Sequence, residues 1–277
     1  MSRDNLFCPD CNTPAKSPGI AVVGALDTEY TCPTCGRVLW YNDLERKRVF
    51  ATLRGSISAE SLVPTPTAVS VGTASFYDAF QTTSSLGFNF SLAGGELLVV
   101  CVASFGSSAL PASVKITGVD CALATSQGTS LGLYGSIWYL ASMAGGAASA
   151  VATWTGTFPA SACIIITKVS GASGLLGSTA AAKGTSNGFS SGTAAVPAGS
   201  IAIAVFSAEG SLGGAFSWAP NFAEAQFVET QSGGPPSDTT LSEAREAIRT
   251  NTSLLASGNM SPGAPNWVCC FASFGTS

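Results

Sequence analysis

The chain of 277 residues contains no histidine. That absence removes the Ser-His-Asp and Cys-His arrangements that activate a hydroxyl or thiol, and His-based metal catalysis with them. Charge is the second scarcity: 10% of residues are Asp, Glu, Lys or Arg, against about 25% in an ordinary soluble domain. A surface so poor in charge solubilises weakly, and cover by neighbouring subunits is one physical reason to tolerate it. The net charge of -4 argues against a general nucleic-acid binder, whose phosphate contacts need clustered cations. Long apolar stretches are also missing. The strongest, Leu97 to Ala103 and Ile201 to Phe206, fall far short of the roughly 18 residues of a membrane span. No charged segment followed by an apolar one marks a secretory signal, so a cytosolic start is expected.

What is present is unevenly placed. Arg3, Lys16, Arg37, Arg46, Lys47, Arg48 and Arg54 put seven of the twelve cations among the first 60 residues, where seven acids also lie. Residues 1–55 therefore read as a small module. Residues 56–68 read as a linker, which Pro64 and Pro66 keep extended. Residues 69–277 read as one larger domain, in which short apolar runs alternate with Gly, Ser, Pro and Asn clusters and no clean repeat is evident.

In that domain the pattern predicts strands over 88–92, 96–104, 113–119, 133–141, 148–154, 162–170, 199–208, 222–231 and 267–274. Amphipathic helices between them are absent, so the fold class is mainly β, a two-layer antiparallel β-sandwich. LLVVCVA, ACIIIT and IAIAVF are apolar on both faces and mark the middle of the core. Leu241 to Arg249 is ambiguous: good helix formers follow the capping residues Ser237 and Asp238, yet an edge strand fits equally well.

The strongest chemical signal is Cys8-Pro-Asp-Cys11 with Cys32-Pro-Thr-Cys35-Gly36. Two C-x2-C pairs at this separation have the spacing of a zinc ribbon, in which four thiolates form the tetrahedron that Zn2+ prefers. Four Cys ligands leave no open position for catalysis, so the expected cofactor is structural zinc. A module this small buries too little surface to fold securely, and structural zinc supplies on the order of 10 kcal/mol. A pair of disulfides or a redox C-x-x-C are the alternatives. Cys101, Cys121, Cys163, Cys269 and Cys270 lie in or beside apolar strands and read as buried free thiols. Adjacent Cys269 and Cys270 should point to opposite faces of a sheet.

Other features carry less. Gly184-Thr-Ser186-Asn-Gly188 fits G-x-S-x-G, but no histidine base exists to serve it. Glu209, Glu224, Glu229, Asp120 and Asp238 could supply a glycosidase pair if two of them stood at the right separation; as acids at strand ends they read more simply as solvated. Glu45-Arg46-Lys47-Arg48 after Trp40 and Tyr41 reads as a solvated face or a protein-docking surface before it reads as a nucleic-acid contact. Trp138, Tyr139, Trp154, Trp218 and Trp267 read as core, with Trp218, near Pro220 and Asn221, open to exposure in a loop.

The succession GELLVVCVASF, VKITGVDCALA, GSIWYLASMAGG, AVATWTG, ACIIITKVSGA, GSIAIAVFSAEG and WVCCFASF resembles a family of β-sandwich domains common in bacteriophage virion proteins. The resemblance rests on the order of strand motifs and not on catalytic residues. It implies a jelly-roll-like sandwich in a capsid decoration (cement) protein, or else in a tail or fibre component. The cysteine module departs from that domain and reads as an anchor. The expectation is a non-enzymatic virion structural protein, assembled in the host cytoplasm as a homo-oligomer and docked on capsid or tail proteins of the same particle. A glycan-binding adhesion module is the rival.

Overall fold

The computed structural model describes residues 65–275, apart from 79, 107–109, 173, 175, 211, 213–215, 231–237 and 262–265, together with the backbone of four short strands before residue 65. The chain divides into two compact units, Met1–Leu62 and Val63–Ser277. In the first, β1 (Leu6–Phe7) pairs antiparallel with β2 (Pro14–Ala15), and β3 (Glu29–Thr31) with β4 (Val38–Trp40).

The second unit is built from strands, and among the described residues no helix occurs. Its first half holds β5 (Thr67–Tyr77), β6 (Ser85–Leu92), β7 (Leu97–Phe105), β8 (Ser113–Ile116), β9 (Val119–Asp120), β10 (Ala122–Gly128), β11 (Tyr134–Leu140), β12 (Gly146–Thr153) and β13 (Ser161–Ser170). The second half holds β14 (Leu176–Gly184), β15 (Gly188–Val196), β16 (Ser200–Glu209), β17 (Phe216–Trp218), β18 (Ala223–Glu229), β19 (Thr239–Ile248), β20 (Thr252–Met260) and β21 (Trp267–Gly275). The sheets run β10-β11-β7-β13-β5 and β6-β12-β8-β9 in the first half, and β14-β21-β16-β19-β18 and β15-β20-β17 in the second. All pairings within them are antiparallel.

These orders are the same order written twice. With β5 matched to β14, β6 to β15, β7 to β16, β8 to β17 and β10 through β13 to β18 through β21, each five-stranded sheet maps onto the other and β6-β12-β8 maps onto β15-β20-β17. The domain is therefore an internal duplication of one sandwich, where a single two-layer sandwich without a repeat was expected. The two copies pack through their five-stranded sheets, so four layers stack in the order four-, five-, five- and three-stranded.

Three apolar cores result. Leu98, Val100, Val102, Ile164 and Ile166 fill the first sandwich, and Ala202, Ala204, Phe206, Cys269 and Phe271 fill the second. Leu97, Val99, Cys101 and Ile165 meet Ile201, Ile203, Val205 and Cys270 between them. Strands β7, β13, β16 and β21 are thus covered on both faces, which is why they read as unbroken apolar runs. Across the middle layer β7 faces β16, β11 lies on β21, β13 on β19, β10 on β14 and β5 on β18. Equivalent strands exchange roles in these contacts, the mark of a twofold relation between copies.

Two expected elements differ. The run expected as one strand over 113–119 is a hairpin, because Thr117 (φ 48°) and Gly118 (φ 83°) both take left-handed conformations, the requirement of a two-residue turn. The ambiguous segment 241–249 is strand through Ile248, held on both edges by β16 and β18.

Candidate functional site

The four cysteines expected to hold metal, Cys8, Cys11, Cys32 and Cys35, lie outside the described residues. Their flanks are described: Leu6 pairs with Ala15 and Phe7 with Pro14, while Glu29 pairs with Trp40 and Thr31 with Val38. Among the described residues no group of three or more Cys, Asp or Glu could hold a metal ion.

The remaining cysteines are buried free thiols. Cys269 packs inside the second sandwich and Cys270 in the core between the sandwiches, the opposite-face placement that alternation requires. Burial pushes the Cys121 and Cys270 thiols up to about 12, and it raises Cys101, Cys163 and Cys269 as well. Such thiols are inert at neutral pH.

Of the carboxylates singled out by the sequence, Asp120 stands apart on another sheet, whereas Glu209, Glu229 and Asp238 lie at one end of β16, β18 and β19 around Thr239 and Thr240. Asp120 pairs with Lys115 at 3.3 Å on the β8–β9 hairpin. Glu209 accepts from Asn266 at 2.6 Å, and Asp238, 3% exposed, accepts from the Thr230 hydroxyl at 3.4 Å. Glu229 lies near the Thr240 hydroxyl and Glu224 near that of Ser242, each at 3.5 Å. Burial raises the Glu224 carboxyl, and that of Glu246 two positions beyond Ala244, Glu224's partner across β18 and β19. In the G-x-S-x-G match, the Ser186 hydroxyl donates to the Gly188 carbonyl at 2.7 Å within the link between β14 and β15. No strand-elbow-helix surrounds it.

The aromatic residues singled out by the sequence lie in the cores or pack against them. Trp138, Trp154 and Trp267 are buried. Trp218 is half-buried: it packs at right angles to Phe189 at 5.1 Å and lies against Phe222 at 6.0 Å, and its Nε1 donates to Ser242 Oγ at 3.0 Å, so it is anchored in the second sandwich. Among the described residues the most exposed ring is Phe80, at 87%, ahead of Tyr77 at 39%, and the sequence carries no signal for it. Its loop is braced by Asp78, whose carboxylate accepts from the backbone of Phe80, Thr82 and Thr83 and from both threonine hydroxyls. Those bonds, the Thr83 hydroxyl's foremost, hold the Asp78 carboxyl well below the usual carboxylate range.

A polar cluster with no signal in the sequence joins the two sandwiches. Glu243, fully buried, receives the Arg245 guanidinium Nε at 2.6 Å and the Thr167 hydroxyl at 2.7 Å. Arg245 also donates to the Ala68 carbonyl at 2.8 Å, to Ser70 Oγ at 2.5 Å and to Thr167 Oγ1 at 2.9 Å. Arg245 and Glu243 come from β19, and the others from β5 and β13. The cluster is a clasp between copies: every charge is paired and every partner is internal. The twofold-related strand β11 carries Ile137 and Tyr139 at the matching positions, opposite β7 residues Cys101 and Val99 as Glu243 and Arg245 stand opposite Val205 and Ile203. Comparison with family models, with curated proteins and with solved structures finds no match to this chain.

Proposed function

We propose that the protein is a non-enzymatic structural component of a bacteriophage particle, most simply a capsid decoration (cement) protein docked on the shell. The observation that carries this reading is the duplicated sandwich: two copies of one antiparallel strand order share a largely apolar core in a chain poor in charge. Such a body suits broad, shallow contacts with neighbours in an assembly. In this reading Cys8, Cys11, Cys32 and Cys35 hold a structural zinc ion that makes the first unit a firm knob for anchoring. The zinc would stabilise the fold and take no part in chemistry, since thiolates fill its coordination. The test is mass spectrometry of particles purified through a density gradient from the lysed host. Stoichiometric recovery with capsid proteins supports the role; recovery only in the soluble host fraction overturns it.

Phe80, bare on its braced loop, favours an adhesion module as a second reading. Glycan-array binding that disappears in Phe80→Ala would put this reading first.

A further inference from the structure

Among the described residues the sheets of the second unit have eight edge strands: β10 and β5, β6 and β9, β14 and β18, β15 and β17. An open edge offers unpaired backbone groups to any passing strand, and proteins guard edges with bulges, charge, proline or brevity. Seven of these are guarded. Register shifts interrupt β5, β10, β14, β15 and β18. Arg245 occupies the Ala68 carbonyl of β5, Lys183 lies on β14, and Glu224 and Glu229 lie on β18. Strand β9 has two residues and β17 three.

Strand β6 has none of these guards. Its eight residues, SLGFNFSL, pair with β12 in one unbroken register from Ser85↔Thr153 to Leu92↔Gly146. They include no charge and no proline. Ser85, Gly87, Asn89 and Ser91 are exposed on one face; on the other, Leu86 and Leu92 are buried while Phe88 and Phe90 stay half-buried, their rings stacked at 6.4 Å.

The sequence of this edge is also nearly palindromic about Asn89. In an antiparallel pair of two β6 strands with Asn89 opposite Asn89, Phe88 faces Phe90, Leu86 faces Leu92 and Gly87 faces Ser91. The apolar face then continues across the junction, giving the half-buried rings aromatic partners, and the two amides meet on the other face. A self-complementary edge is what a twofold contact between identical chains requires.

We propose that two copies of the chain associate through β6, joining their four-stranded sheets into one continuous sheet across a twofold axis. This deepens the self-association within the structural role proposed above by naming the surface that mediates it.

The test is sedimentation equilibrium of the full-length chain beside two variants. Asn89→Lys sets like charges face to face at the axis on an already exposed position, and should weaken association at least tenfold, by about 1.4 kcal/mol. Ala195→Lys, on the guarded counterpart strand β15, should leave it unchanged. Asn89→Cys should form an interchain disulfide on mild oxidation that the parent chain does not. A parent chain that associates equally well with Asn89→Lys overturns the β6 contact while leaving self-association standing. A parent chain that stays monomeric overturns both.

Discussion

At the scale of single residues, the Glu243–Arg245 clasp makes the sharpest demand. A buried carboxylate is tolerated because a guanidinium and a hydroxyl meet it at 2.6 and 2.7 Å; without Arg245 it would stand uncompensated. Arg245→Met should cost about 3–5 kcal/mol in denaturant unfolding. The double change Glu243→Ile with Arg245→Tyr, which copies the matching residues Ile137 and Tyr139, should recover most of that loss, because a buried pair replaced by apolar groups is often nearly neutral. A double variant as unstable as Arg245→Met would show the clasp to be irreplaceable. Glu224 and Glu246 give a prediction in pH. Burial raises both carboxyls above 4.5, so as pH falls the folded chain takes up these protons before the unfolded chain does. Their ionised forms therefore cost stability at neutral pH, and stability recovers as pH drops through the raised folded values. Glu246→Gln should raise the melting temperature at pH 7 and change it little below pH 4.5; an equal effect at both would sever the link to titration.

At the scale of elements, the legible parts of the sequence were strands with one strong signal. LLVVCVA, ACIIIT and IAIAVF became β7, β13 and β16, covered on both faces as their composition required. Strands made of small residues escaped notice: β5, β14, β15 and much of β20 read Ala, Gly, Ser and Thr in succession, so alternation of burial leaves little contrast in hydropathy. Strand β19 was ambiguous because LSEAREAIR satisfies helix propensity, and only its neighbours on both edges decide the matter. The repeat was hidden for a related reason. Packing conserves position and face more than chemistry, so Ile137 and Tyr139 can stand where Glu243 and Arg245 stand in the other copy. The metal-ligand candidates were legible from spacing alone, whereas Phe80 and the clasp depend on loop bracing and on contacts between distant strands. The shared core predicts that elements of both halves melt together. Ile165→Ala in the first half and Ile203→Ala in the second, both fully buried between the sandwiches, should each lower one common unfolding transition by about 2–5 kcal/mol. Calorimetry that resolves two sandwich transitions, with each substitution moving only one, would contradict a shared core.

At the scale of the whole molecule, scarcity of charge, duplication and the β6 edge are the features on which the proposed associating role rests, with a small cysteine module preceding the sandwiches along the chain. The seven cations and seven acids among the first 60 residues balance, so the net charge of -4 belongs to the remainder. The proposed association would then rest on shape and backbone pairing more than on steering by charge. Native mass spectrometry of the full-length chain reports subunit number and bound metal together, and is the most direct test of this account. Dimers or their multiples carrying one zinc per chain, with the zinc removed by a chelator, are the expected result. A metal-free monomer whose Cys8, Cys11, Cys32 and Cys35 are joined in disulfides would contradict it.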